Sequence, residues 1–166
     1  TGDTPLTEKI KAFIKKRDKK PGEVYLGLPH RLDRPVSGAI VFTKTSKALS
    51  RMNEIFRTNK ATKIYWAIVK EKPPERSQTL VHFLKKNEKQ NKSYICNSDE
   101  KGAKEAKLTY RLIGHSDNYF LVEVELHTGR HHQIRAQLSA IGCPIKGDLK
   151  YGFARSNKNK GISLHA

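Results

Sequence analysis

The chain is poor in acid, in cysteine and in long apolar runs. Its 166 residues hold 16 Asp and Glu against 33 Lys and Arg, a formal net charge of +17. Its two cysteines, Cys96 and Cys143, stand far apart and form no CxxC pair. That excludes a disulfide framework and fits a reducing compartment, with the cytoplasm as default. No apolar run approaches the roughly 20 residues needed to cross a bilayer, and no signal-peptide pattern is present. HExxH is also missing. His127, His131 and His132 are near one another, but on a helix His131 and His132 would point to different faces, so no metal site is expected. The acid deficit calls for a partner of opposite sign, and nucleic acid is favoured over an anionic membrane surface.

What remains is a polar but foldable chain, 36% hydrophobic and 30% charged, of a size that suits one domain over residues 1–166. Asp3-Thr4-Pro5 followed by Leu6, Ile10, Phe13 and Ile14 predicts a capped amphipathic helix. Gly38 to Thr43 has the continuous apolar character of a buried strand. Leu49, Met52, Ile55 and Phe56 mark a second helix, capped by Thr45 or Ser46. Strands are expected at Lys63–Val69, Thr79–Leu84 and Ala106–Ile113, with Lys85–Lys104 mostly loop or an edge hairpin. From Tyr119 to His127 the pattern alternates, Phe120, Val122, Val124 and Leu126 facing one way. A third helix is expected from near Arg130 to Ile141, ended by Gly142 and Pro144. The fold class is α+β, a mixed and largely antiparallel sheet flanked by helices.

Three segments carry chemistry. In His30-Arg31-Leu32-Asp33-Arg34-Pro35-Val36-Ser37-Gly38 one carboxylate sits between two arginines, and neighbouring cations favour its charged form. Such a group in a basic cleft can attack, or steady, an electron-poor sugar carbon; a surface turn with ordinary charge pairing is the alternative. In Thr128-Gly129-Arg130-His131-His132-Gln133-Ile134-Arg135 a glycine turn opens a helix whose free N–H groups and flanking Arg130, His131, His132 and Gln133 suit an anion. His131 and Arg135 would share a helix face there, and Arg135 could hold Asp33 by its planar fork. A solvated basic helix face is the alternative. Third, Lys63-Ile64-Tyr65-Trp66-Ala67 is an alternating strand with Lys63, Tyr65 and Ala67 on one face; Tyr65 can stack on an extruded base or simply pack.

Together these segments resemble the RluA-type family of pseudouridine synthases. The resemblance rests on His30-Arg31-Leu32-Asp33 with Ser37-Gly38, on Lys63-x-Tyr65-x-Ala67 and on Thr128-Gly129-Arg130-x-His132-Gln133-Ile134-Arg135. It continues through Gly142-x-Pro144-Ile145-x-Gly147-Asp148-x-x-Tyr151-Gly152. It implies Asp33 as catalytic aspartate, Tyr65 packed on the target base, Arg135 as ionic partner of Asp33, and Arg31 as a candidate for the space left by a flipped nucleotide. RNA contacts are expected from His30, Arg31, Arg34, Lys63, Arg130, His132 and Gln133. The expected partner is ribosomal or transfer RNA, with no metal or other cofactor, no membrane and no obligate protein partner, and a monomer by default. Pro35-Val36 departs from the family's usual polar residue and Thr. The family's opening and closing strands and an S4-like domain are not found in residues 1–166, so a core fragment is expected. A non-catalytic RNA-binding domain is the competing function.

Overall fold

The computed structural model describes residues 2–166. Two compact units divide the chain: one takes residues up to Arg31 together with Ile40–Ala61, the other Leu32–Ala39 with Thr62–Ala166.

The first unit holds α1 (Leu6–Arg17) and α2 (Ser46–Arg57). Pro5 itself occupies the position before α1, and Ile14 is the helix's buried residue. Phe13, expected on the apolar face, is 61% exposed, with the Arg17 guanidinium 5.5 Å from its ring. Helix α2 is capped by Thr45, whose Oγ1 accepts a hydrogen bond from the Ala48 N–H at 3.1 Å. No buried strand forms over Gly38–Thr43. Its only pairing among the described residues of the first unit is a bridge, with Gly27 and Thr43 exchanging backbone bonds of 2.8 and 3.0 Å. Val41 is left 42% exposed. A run of β-favouring residues becomes a strand only where a neighbour supplies a ladder.

The second unit is built on β1 (Ile64–Val69), β2 (Ser77–Asn87), β3 (Lys92–Cys96), β4 (Lys104–His115), β5 (Phe120–Leu126) and β6 (Leu164–His165). The order is β3-β2-β4-β5-β1-β6, and every ladder is antiparallel. The parallel component anticipated in the sheet reduces to one isolated bridge, Ser37 to His165. Lys85–Lys104 is an edge hairpin with regular β2–β3 pairing.

Helix α3 (Gln133–Ala140) covers the sheet. It starts three residues later than expected because His132 adopts a left-handed conformation, φ 53°, and Gln133 N–H closes a turn onto Arg130 O. Ile134 and Leu138 of α3 join Ala67, Val69, Leu80, Leu108, Tyr110, Val122 and Val124 in one core. These sheet residues are the inward alternates of their strands. The chain then turns through a 3-10 helix, Leu149–Tyr151, before β6. No helix among the described residues is long and apolar enough to cross a membrane.

Candidate active site

Asp33 lies on a loop tied at several points to the segment ending in β6. Val36 N–H closes a turn on Asp33 O at 2.9 Å, Ile162 N–H bonds Pro35 O at 2.9 Å, and Ser37 exchanges backbone bonds with Leu164 and Ala166 at 3.2 and 2.9 Å. Gly38, at φ 133°, lets the loop run against the Ala166 backbone where a Cβ would collide. A loop this well bonded can hold its carboxylate still.

Arg135 reaches that carboxylate from the first turn of α3, 102 residues away in sequence. Its Nη1 donates to Asp33 Oδ2 at 3.2 Å. The other edge of the guanidinium donates twice to Asp148, Nε to Oδ2 at 2.7 Å and Nη2 to Oδ1 at 2.8 Å. The Tyr151 ring flanks it, 5.0 Å from the guanidinium carbon. Burial opposes the charge of Arg135, but the bonds and charges of Asp148 and then Asp33 outweigh it and raise its pKa.

His132 Nε2 lies 3.5 Å from the same Asp33 oxygen. Burial holds the His132 pKa down to about 4, the Asp33 charge opposing, so the imidazole is neutral at pH 7. Its Nδ1 is 3.0 Å from the Tyr151 hydroxyl, which accepts from Ser93 N–H at 2.9 Å. Burial pushes the Tyr151 hydroxyl up to about 12. A single ring proton is best placed on Nε2, toward the carboxylate, because a lone pair there would face negative charge.

Tyr65 stands half-buried on the inward face of β1, against the core. Its pKa is raised by burial and, secondarily, by the charge of nearby Asp33. Lys63, two residues earlier, is half-buried with its Nζ beside Gly129, and burial lowers its pKa.

Other expected contacts are placed differently. His132 is 8% and Gln133 3% exposed. Gln133 orders the turn before α3: its Oε1 accepts from Thr128 Oγ1 and Arg130 N–H at 2.8 and 2.9 Å, and its Nε2 donates to Lys107 O at 3.0 Å. His131 precedes the helix and shares no helix face with Arg135. Arg130 is exposed, its Nε bonded to Glu105 O at 2.8 Å. Arg34 is exposed on the Asp33 loop. In the first unit Arg31 is exposed, whereas half-buried His30 accepts Val41 N–H at 2.9 Å and its ring lies 5.1 Å from that of Phe56.

Residues 4–140 match the family model described as RNA pseudouridylate synthase. The chain is 35% identical over 136 residues to an uncharacterized RNA pseudouridine synthase of Chloroflexus aurantiacus, covering 82% of this chain and 42% of that protein. This chain belongs to the RNA pseudouridylate synthase family. Within it, the ribosomal large subunit pseudouridine synthase C of Rickettsia prowazekii is 35% identical over 126 residues, which are 75% of this chain and 41% of that one. Such relatives agree with the RluA-type resemblance of the motifs. The chain thus spans about two-fifths of the length of these curated relatives. The structure of Human RNA Pseudouridylate Synthase Domain Containing 4 superposes with a TM-score of 0.83 at 25% identity, over 100% of this chain and 74% of that one.

In this family member Asp148 and Tyr151 flank the Arg135 guanidinium and Ser93 bonds the Tyr151 hydroxyl, although the sequence alone gives these three no role. The signal for the first two was present in Gly147-Asp148-x-x-Tyr151-Gly152. Nothing in the local sequence marks Ser93.

Proposed function

We propose that this chain forms the catalytic centre of an RNA pseudouridine synthase that isomerises uridines of ribosomal or transfer RNA. The observation that carries the reading is the Arg135 Nη1 contact to Asp33 Oδ2, 3.2 Å, beside Tyr65. The reaction needs no redox partner. The C1′–N1 bond breaks with its electron pair on uracil, the base turns, C5 bonds to C1′, the C5 proton leaves and N1 takes one up. Asp33 serves at the sugar, either attacking C1′ or removing a ribose proton, while Arg135 orients it and Tyr65 packs on the base.

Extruding the nucleotide costs a few kcal/mol, which Lys and Arg contacts to phosphate offset. Arg31, Arg34, Lys63 and Arg130 are the side chains assigned to those contacts, and Arg31 fills the space the nucleotide leaves. A cytoplasmic setting fits the two free cysteines.

The test is tritium release from RNA labelled at uridine C5, using the full-length protein and its Asp33→Asn variant, with ribosomal and transfer RNA as separate pools. Release by wild type alone supports the reading, and the responding pool names the RNA class. Silence on both pools with RNA binding intact would turn it into a binding domain.

A further inference from the structure

The Tyr151 hydroxyl has three polar neighbours and one proton to give. It accepts the Ser93 N–H at 2.9 Å, and it stands 3.0 Å from His132 Nδ1 and 3.2 Å from Ser93 O. Burial pushes its pKa up to about 12, so at neutral pH the proton stays on the oxygen and goes to one of those two acceptors. Ser93 is 2% exposed and lies on β3, the edge strand of the sheet. That edge is tied down independently of the hydroxyl. Ser93 Oγ donates to His131 O at 2.7 Å, and Lys150 Nζ donates to Gln90 O and Asn91 O in the hairpin turn, at 3.1 Å each.

Two proton arrangements fit these distances. If the hydroxyl donates to Ser93 O, His132 carries its proton on Nδ1 and turns a lone pair on Asp33 Oδ2, 3.5 Å away. If it donates to His132 Nδ1, the nearer acceptor, the ring proton sits on Nε2 and faces the carboxylate. Arg135 Nη1 already donates to that same oxygen. Two donors on one oxygen restrict rotation of the carboxylate, and a misplaced reacting group costs rate.

We infer that Tyr151 is a positioning residue: its hydroxyl, aimed by the β3 edge strand, donates to His132 Nδ1 and so fixes an Nε2–H beside Asp33 Oδ2. The effect on rate rests on Asp33 being the reacting group; the proton's place on His132 does not, and the two tests separate the ideas.

The first test needs no RNA. With histidine labelled at its ring nitrogens, NMR of the full-length protein should place the His132 proton on Nε2 in wild type. It should stay there in Asp33→Ala, where no carboxylate remains to attract it. Adding Tyr151→Phe to Asp33→Ala keeps a ring over Arg135 and removes the hydroxyl alone, and proton should then appear on Nδ1. An Nδ1 proton in Asp33→Ala itself, or a tautomer unmoved by Tyr151→Phe in that background, would overturn the inference whether or not the protein turns over RNA. The Asp33→Ala arm retains Tyr151, so it decides the matter even if the Phe variant fails to fold.

The second test reads chemistry. Tyr151→Phe in the full-length protein should lower the single-turnover rate by about tenfold while leaving RNA affinity within about threefold. In a His132→Ala background, where no ring remains to orient, the same change should cost less than about threefold more. A folded Tyr151→Phe protein at wild-type rate, equal losses in rate and affinity, or full multiplicative losses in the double variant would each refute it.

Discussion

The imidazole rings of His131 and His132 stack, their centroids 3.8 Å apart and their planes 22° from parallel. On a helix the two would diverge. The left-handed backbone of His132, φ 53°, lays one ring over the other. His131 thereby reaches the hairpin, 2.9 Å from Ser93 Oγ and 3.1 Å from Asn91 Oδ1. His132 is turned inward to Asp33 and Tyr151.

That arrangement makes stability depend on pH. His132 falls from 6.5 to about 4 on folding, so between these values the unfolded chain binds the proton more tightly. Its contribution is complete above about pH 6.5 and is lost as pH falls toward 4, amounting to roughly 3 kcal/mol. Urea unfolding of wild type and His132→Gln across this window should show the steeper loss in wild type. Parallel curves would show that His132 is not the group responsible.

Gly38 should tolerate no side chain. Its φ of 133° is disfavoured for L residues, and a Cβ would meet backbone atoms of Ala166. Gly38→Ala is expected to destabilise the protein by roughly 2–4 kcal/mol and to displace Asp33 with the loop. Thermal melts and single-turnover rates check both effects; a variant with unchanged melting and rate would show that the loop is not held as described.

Tyr65 should act through its ring. Its hydroxyl is held protonated, with a pKa raised by burial and by Asp33, which leaves little phenolate to act as base at neutral pH. Tyr65→Phe should retain RNA affinity, whereas Tyr65→Ala should lose the roughly 1–3 kcal/mol of a base–aromatic stack. Equal affinities for the Phe and Ala variants would remove stacking as the explanation.

The sequence was most readable where one strand writes both of its faces. Phe120, Val122, Val124 and Leu126 alternate because β5 buries one side, and its span follows directly. Gly38–Thr43 misled because apolar content says nothing about whether a ladder partner arrives. The Asp33–Arg135 pair, 102 residues apart, was reached through motif resemblance and not through spacing. Ser93 was beyond reach, because its role depends on the hairpin meeting the 3-10 turn; Asp148 stood in a legible motif, but its bond to Arg135 shows only in the fold. The start of α3 was misplaced by a single left-handed residue, His132, which no periodicity reveals.

Lys63 offers the sharpest separation of binding from folding. Its ammonium is half-buried, its pKa is lowered by that burial, and no ion pair to it forms among the described residues. A cation desolvated without a partner costs the folded state and gains only when an anion arrives. Lys63→Met keeps the length and apolar stem of the side chain and removes the charge. Melting temperature should therefore hold or rise slightly, while RNA affinity falls at low salt. The plot of log affinity against log salt should become shallower by about 0.7, the value for one phosphate contact on a single strand. An unchanged slope with a lower melting temperature would instead make Lys63 a structural residue of β1.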